Sequence, residues 1–128
     1  MGYVFIWGIY LLKNDNIILD KSMDFAVRIV RLYQYLGGDK REYVLSKQVL
    51  KSGTSIGANI KEAIRGQSRA DFRSKMNIAL KEASETEYWL ELLYKTEYIS
   101  EKQFCSINED CIELIRILTS IIKNTKEG

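Results

Sequence analysis

The chain has 128 residues, 46% of them hydrophobic and 28% charged, with a formal net charge of +2. That is one domain with enough apolar material for a core, and it excludes a disordered polyelectrolyte. Histidine and proline are both absent: the first absence removes imidazole as general base, metal ligand or triad member, and the second fits long unbroken helices.

Residues 1–16 read as an apolar N-terminal extension ending at Asn14-Asp15-Asn16. The run from Tyr3 to Leu12 is about half the length needed to span a bilayer. It lacks the basic n-region and small-residue cleavage site of a signal peptide. Either a start codon placed too far upstream or a poorly ordered extension accounts for it. The chain is expected to be cytoplasmic, with no membrane contact.

Residues 17–124 read as a four-helix domain and 125–128 as a tail. The first helix is expected over about 22–36, with Ser22 as N-cap and Phe25, Ile29, Leu32 and Leu36 on one face, until Gly37-Gly38 ends it. The second, about 42–65, carries Leu45, Val49, Ile56, Ile60 and Ala63 on one side and stops at Gly66. The third, about 69–97, opens at Ser68 with Asp71 three residues on, a capping-box-like pair. Its stripe is Phe72, Met76, Ala79, Ala83, Leu90 and Leu93. The fourth, about 101–123, opens at Ser100 with Gln103 in the box position and carries Phe104, Ile107, Cys111, Leu114, Leu118 and Ile121. Short connections force consecutive helices antiparallel, so the expected fold is all-α, an up-down-up-down four-helix bundle.

Charge divides along the chain. From Lys21 to Lys81 the net is +8, and from Glu82 to Gly128 it is −5. On the second helix, Lys47, Lys51, Lys61 and Arg65 fall within an arc of about 80°, opposite the apolar side, in a line about 27 Å long. Arg69 and Arg73 open the next helix, and Lys40 and Arg41 stand at the other end. Two readings stand: a solvated face, or a surface for phosphate backbones. Aromatic residues hardly interleave with this line, which argues against base stacking and sequence readout.

The third helix carries a second apolar stripe, Ile78, Trp89 and Leu92, interrupted by Glu82 and Glu85. One bundle buries one stripe per helix, so the second is expected at a subunit contact anchored by Trp89. An acidic face complements a basic one but not its own copy, which favours a head-to-tail contact and a ring.

No site for chemistry emerges. Cys105 and Cys111 match no zinc spacing and read as reduced core or boundary residues. Di-iron bundles use Glu-x-x-His pairs, which need histidine, so Glu62, Glu82 and Glu85 read as partners of Lys or Arg. Gly53-Thr54-Ser55-Ile56-Gly57 lacks the Gly-Lys-Ser/Thr ending of a phosphate loop. Each glycine inside a helix costs about 1 kcal/mol, so Gly53 and Gly57, one turn apart, read as a flat patch for close helix approach. Asn59 and Glu62, three apart on its flank, are placed to hydrogen-bond across it. No catalytic residue, metal or cofactor is expected.

Ser52-Gly53-Thr54-Ser55-Ile56-Gly57-Ala58-Asn59-Ile60 with Glu62-Ala63, then Ile78-Ala79-Leu80-Lys81-Glu82-Ala83 and Glu85-Thr86-Glu87-Tyr88-Trp89-Leu90, closely resemble the bacterial four-helix-bundle family first noticed in 23S ribosomal RNA intervening sequences. The likeness runs from about Ile17 to Lys123. It implies a bundle assembling into homopentameric rings, and kinship with the accessory proteins of diversity-generating retroelements, which bind a reverse transcriptase and nucleic acid through a basic surface. It carries no catalytic residues, and implies structural or interfacial roles for Ser55, Gly57, Asn59, Glu62, Glu82, Glu85 and Trp89. Two functions follow as expectations: a non-enzymatic accessory protein that binds RNA or DNA backbone, or a protein-interaction scaffold with no nucleic-acid binding.

Overall fold

The computed structural model describes the backbone of residues 6–125 and the side chains of residues 17–125. Four helices make up the described chain: α1 (Ile6–Gly38), α2 (Leu45–Ile64), α3 (Arg69–Lys95) and α4 (Glu101–Asn124). None is long and apolar enough to cross a membrane among the described residues.

The contacts fix the direction of every helix. Gly53 lies against Ile29 and Gly57 against Ser22, so α2 runs opposite to α1. Thr86 bonds Ser52 and Lys75 pairs with Glu62, which sets α3 antiparallel to α2. The Cys111 thiol donates to the Ala83 carbonyl and Phe104 stacks on Tyr94, setting α4 against α3. Lys21 with Glu113 and Arg28 with Asp110 close α4 back onto α1. The result is an up-down-up-down bundle in which each helix packs on its two neighbours in the chain's circular order.

The expected stripes form the core. Phe25, Ile29 and Leu36 of α1 meet Val49, Ile56 and Ile60 of α2, Phe72, Met76 and Leu90 of α3, and Leu114 and Leu118 of α4, all at most 1% exposed. At about 25 cal/mol per Å² of apolar surface, burying each side chain of this size contributes about 1.5–3 kcal/mol. That gain offsets the entropy of ordering four helices.

The expected start of α1 is corrected. The helix begins by Ile6 and runs for 33 residues; Asn14-Asp15-Asn16 lies inside it. Those residue types cost only about half a kcal/mol each relative to alanine, too little to end a helix with tertiary support. Ser22 is no cap. It is buried, and its hydroxyl donates to the Leu19 carbonyl at 2.8 Å, which satisfies it within the helix. Residues 1–5 of the expected extension, and the side chains of residues 6–16, lie outside the described part.

The start of α2 also differs. Glu42, expected as its first residue, stands three residues before it and caps it. Its carboxylate accepts from the backbone N–H groups of Val44, Leu45 and Ser46 at 3.1, 2.8 and 2.7 Å. Val44, at the N-cap position, supplies no side-chain bond, so the carboxylate takes on the orphan donors and complements the helix dipole. The caps of α3 and α4 are as expected: Ser68 accepts from the Asp71 N–H, and Ser100 and Gln103 form a complete capping box.

Candidate nucleic-acid interface

Lys47, Lys51, Lys61 and Arg65 all lie exposed on α2, on the side away from buried Val49, Ile56, Ile60 and Ala63. None of the four forms an ion pair among the described residues. The helix that carries them is rigidly seated. A Cβ on Gly53 would meet three carbons of Ile29 at 2.7–3.0 Å, and one on Gly57 would meet the Ser22 hydroxyl at 3.2 Å. Gly53 therefore sits in close contact with α1, while Gly57 faces only the small Ser22 side chain.

Polar seats complete the anchoring of α2. Thr86 Oγ1 donates to Ser52 Oγ at 2.9 Å across the α2–α3 contact and lies 2.8 Å from the Glu82 carbonyl, both groups buried. Asn59 and Glu62 do not bond one another. Asn59 Nδ2 donates to the Ser55 carbonyl of its own helix, and Glu62 pairs with Lys75 at 2.9 Å. That hydrogen bond, then the carboxylate charge, raises the Lys75 pKa above its ordinary value.

Arg73 is directed away from the α2 line. Lys75 marks the side of α3 that touches α2, and Arg73, two residues earlier, leaves the helix about 200° away. Arg69 and Arg73 are both half-buried. The Arg73 Nε is buried with no hydrogen-bond partner. At the far end, Lys40 Nζ sits 5.9 Å above the Tyr35 ring, a cation–π contact.

On α3, Ile78 is 37% exposed while Trp89 and Leu92 are half-buried. The Trp89 indole N–H donates to Glu85 at 2.9 Å, and Tyr88 meets its ring edge-on. Burial first, then the neighbouring Glu85 carboxylate, raises the Glu82 pKa; the Lys51 charge opposes the shift. Cys111 is buried, which pushes its thiol up to about 12, while Cys105 is exposed. Among the described residues no cluster of three or more Cys, Asp or Glu side chains is arranged to hold a metal ion.

A further surface escaped the pattern reading. Met23, Val27 and Val30 on α1 are 62%, 47% and 36% exposed. Their i, i+4, i+7 spacing was visible in the sequence beside the core stripe of Phe25, Ile29 and Leu32, and only the packing shows that no neighbour among the described residues covers it.

Residues 14–120 match the family described as 23S rRNA-intervening sequence protein. Among solved structures, the chain is similar to a protein of unknown function from the S23 ribosomal protein family of Bacteroides thetaiotaomicron VPI-5482. The two are 63% identical, with 85% of this chain and 97% of that one covered and a TM-score of 0.85. No curated protein matches.

Proposed function

The chain belongs to the 23S rRNA-intervening sequence protein family, and we propose that it acts there as a non-enzymatic, self-associating accessory protein that binds RNA or DNA through the phosphate backbone. The observation that carries this reading is the α2 line, with Lys47, Lys51, Lys61 and Arg65 exposed and without a carboxylate partner among the described residues. Cations that pair with carboxylates in their own fold have less to gain from a phosphate. None of these four is held in an ion pair among the described residues, with Lys51 acting on Glu82 only at longer range, and close packing at Gly53 holds their helix in place. The line offers charge without a row of aromatic rings, so binding is by backbone and shape.

Self-association draws on the α3 face, where Ile78, Trp89 and Leu92 lie beside Glu82 and Glu85. Those carboxylates find no cation within hydrogen-bonding reach among the described residues. The same charges support a second reading, a scaffold in which the α2 cations serve only the acidic face of another copy.

Titration of a labelled oligonucleotide at two salt concentrations separates the readings. Neutralising four phosphates gives a fall in affinity between about 50 and 200 mM salt of about 50-fold on a single strand and about 150-fold on a duplex. Replacing Lys47, Lys51, Lys61 and Arg65 together by glutamine removes that salt dependence. No binding at about 50 mM salt refutes the nucleic-acid role and leaves the scaffold.

A further inference from the structure

The side of the bundle formed by α1 and α4, to which α2 contributes no residue, carries a hollow of about 480 Å³. One face of α1 makes its first wall. Arg28, Arg31 and Tyr35 leave that helix at i, i+3 and i+7, so they stand in a row about 10 Å long. Opposite them α4 supplies Lys102, Gln103 and Ser106. The floor is apolar, with Ile99 and Ile107 buried and Leu32 half-buried.

The charge in this hollow is of one sign. The hollows beside Lys61 and Arg116 each set a cation with a carboxylate, Asp20 and Glu109. Here Arg28, Arg31 and Lys102 line the walls and no carboxylate does. Arg28 is compensated from outside, by Asp110 at 2.7 Å. Arg31 and Lys102 are exposed and form no ion pair among the described residues. Two uncompensated positive charges therefore face the space.

The polar groups between them are left as donors. Arg28 Nη1 donates to the Ser106 carbonyl and to Asp110, and Nη2 donates to Ser106 Oγ. Those bonds fix the guanidinium and leave two of its five N–H groups for a ligand. Ser106 Oγ, accepting from Arg28, keeps its O–H to donate. Gln103 Oε1 accepts the Ser100 N–H in the cap of α4, so its amide N–H groups remain. Donors beside two uncompensated cations suit a doubly charged oxyanion, and a phosphate monoester carries about −1.5 to −2 at pH 7. A carboxylate would leave one cation unmatched.

The far end suits a ring. Past Arg31 and Lys102, the half-buried Tyr35 side chain forms the wall and Leu32 and Ile99 the floor. A flat aromatic group gains burial and a ring contact there. Small-molecule sites combine an apolar lining with a few converging polar groups in about 300–1,000 Å³, and this hollow does both.

We propose that the α1–α4 hollow binds a nucleoside monophosphate, its phosphate held by Arg31, Lys102 and the free N–H groups of Arg28 and its base set against Tyr35. This is a small-molecule site, separate from the α2 line and independent of whether that line binds a polymer.

Isothermal titration calorimetry tests it, with the common ribonucleoside 5′-monophosphates, their nucleosides, ribose 5-phosphate and inorganic phosphate as probes. At least one nucleotide binds once per chain with a Kd below about 1 mM. Its nucleoside, ribose 5-phosphate and inorganic phosphate each bind about tenfold more weakly or worse. Replacing Arg31 and Lys102 together by glutamine, both at exposed positions, weakens the nucleotide about tenfold or more. The protein with Lys47, Lys51, Lys61 and Arg65 replaced by glutamine binds it as the wild type does, which keeps failure of the phosphate-backbone reading distinct from failure of this one. No nucleotide bound at about 1 mM overturns the proposal. So does a nucleotide that binds no tighter than ribose 5-phosphate, that is indifferent to the Arg31 and Lys102 replacements, or that is lost with the α2 replacements.

Discussion

Gly53 offers a measurement in which two familiar effects oppose each other and the structure decides the sign. Alanine inside a helix is favoured over glycine by about 1 kcal/mol, so Gly53→Ala looks stabilising from the sequence. In the fold, the new methyl would meet Cγ1, Cγ2 and Cδ1 of Ile29 at 2.7, 2.8 and 3.0 Å. Ile29 is fully buried. Its two γ-carbons are fixed by a single χ1, which a β-branched residue in a helix hardly varies, so relief requires moving α1 or α2.

Overpacking of this kind costs about 1–3 kcal/mol. With three carbons in conflict, the net loss is about 1–2 kcal/mol, or about 4–8 °C in Tm for a chain of this size. Ile29→Ala removes all three carbons and costs about 2–5 kcal/mol alone. In that background Gly53→Ala should change sign and stabilise by about 1 kcal/mol. Gly57→Ala is the matched control. Its methyl would meet the Ser22 hydroxyl at 3.2 Å and little else close by, so it is expected to be neutral or stabilising by up to about 1 kcal/mol. Urea unfolding of the five proteins checks all of this. A stabilised Gly53→Ala in the wild-type background, or the same effect in both backgrounds, refutes the close-approach account.

Three further outcomes are expected. Glu42→Ala removes the acceptor for three backbone N–H groups and should cost about 1–3 kcal/mol in urea unfolding. Glu97→Gly should stabilise by about 1 kcal/mol, because Glu97 sits at φ 69° in the left-handed position after α3, with the Glu97 and Tyr98 N–H groups bonding the Tyr94 and Leu93 carbonyls. Glycine suits that helix-ending motif without the Cβ penalty. In native protein at pH 8, iodoacetamide should label Cys105 and leave Cys111 untouched: with its pKa pushed up to about 12, about one Cys111 in ten thousand is thiolate, and the side chain is buried. Mass spectrometry should show one adduct per chain, and two after denaturation.

The core was legible because period and burial coincide. Every buried position named for α2 from its stripe, from Val49 to Ala63, is fully enclosed. Two boundaries were illegible because local signals were answered tertiarily. Asn14-Asp15-Asn16 and Ser22 resemble a helix start, yet Ser22 is a small residue that lets Gly57 approach, its hydroxyl bonded back to its own helix. Glu42 resembles a first helical residue, and its side chain turns out to be the cap. The basic line could be drawn from helical angles because it lies on one element. Arg69 and Arg73 belong to another helix, and which side of α3 meets α2 is set by packing that composition does not encode. The exposed surface of Met23, Val27 and Val30 on α1 was missed for a related reason: a stripe shows that residues share a face, and only assembled neighbours show whether that face is covered.

The seam between α1 and α4 gives the molecule a preferred way to come apart. Among the described residues it is the least extensively packed of the four main helix contacts, and its ion pairs, Lys21 to Glu113 and Arg28 to Asp110, are made by side chains 40–48% exposed, with Arg28 also bonding Ser106. Such pairs contribute little, about 0–1 kcal/mol each, whereas α2 and α3 share a buried hydroxyl pair and the most extensive contact. The bundle is hinged like a book with its spine along α2–α3. In hydrogen–deuterium exchange, the amides of α4 should become accessible through partial openings of the fold, while those of α2 wait for global unfolding.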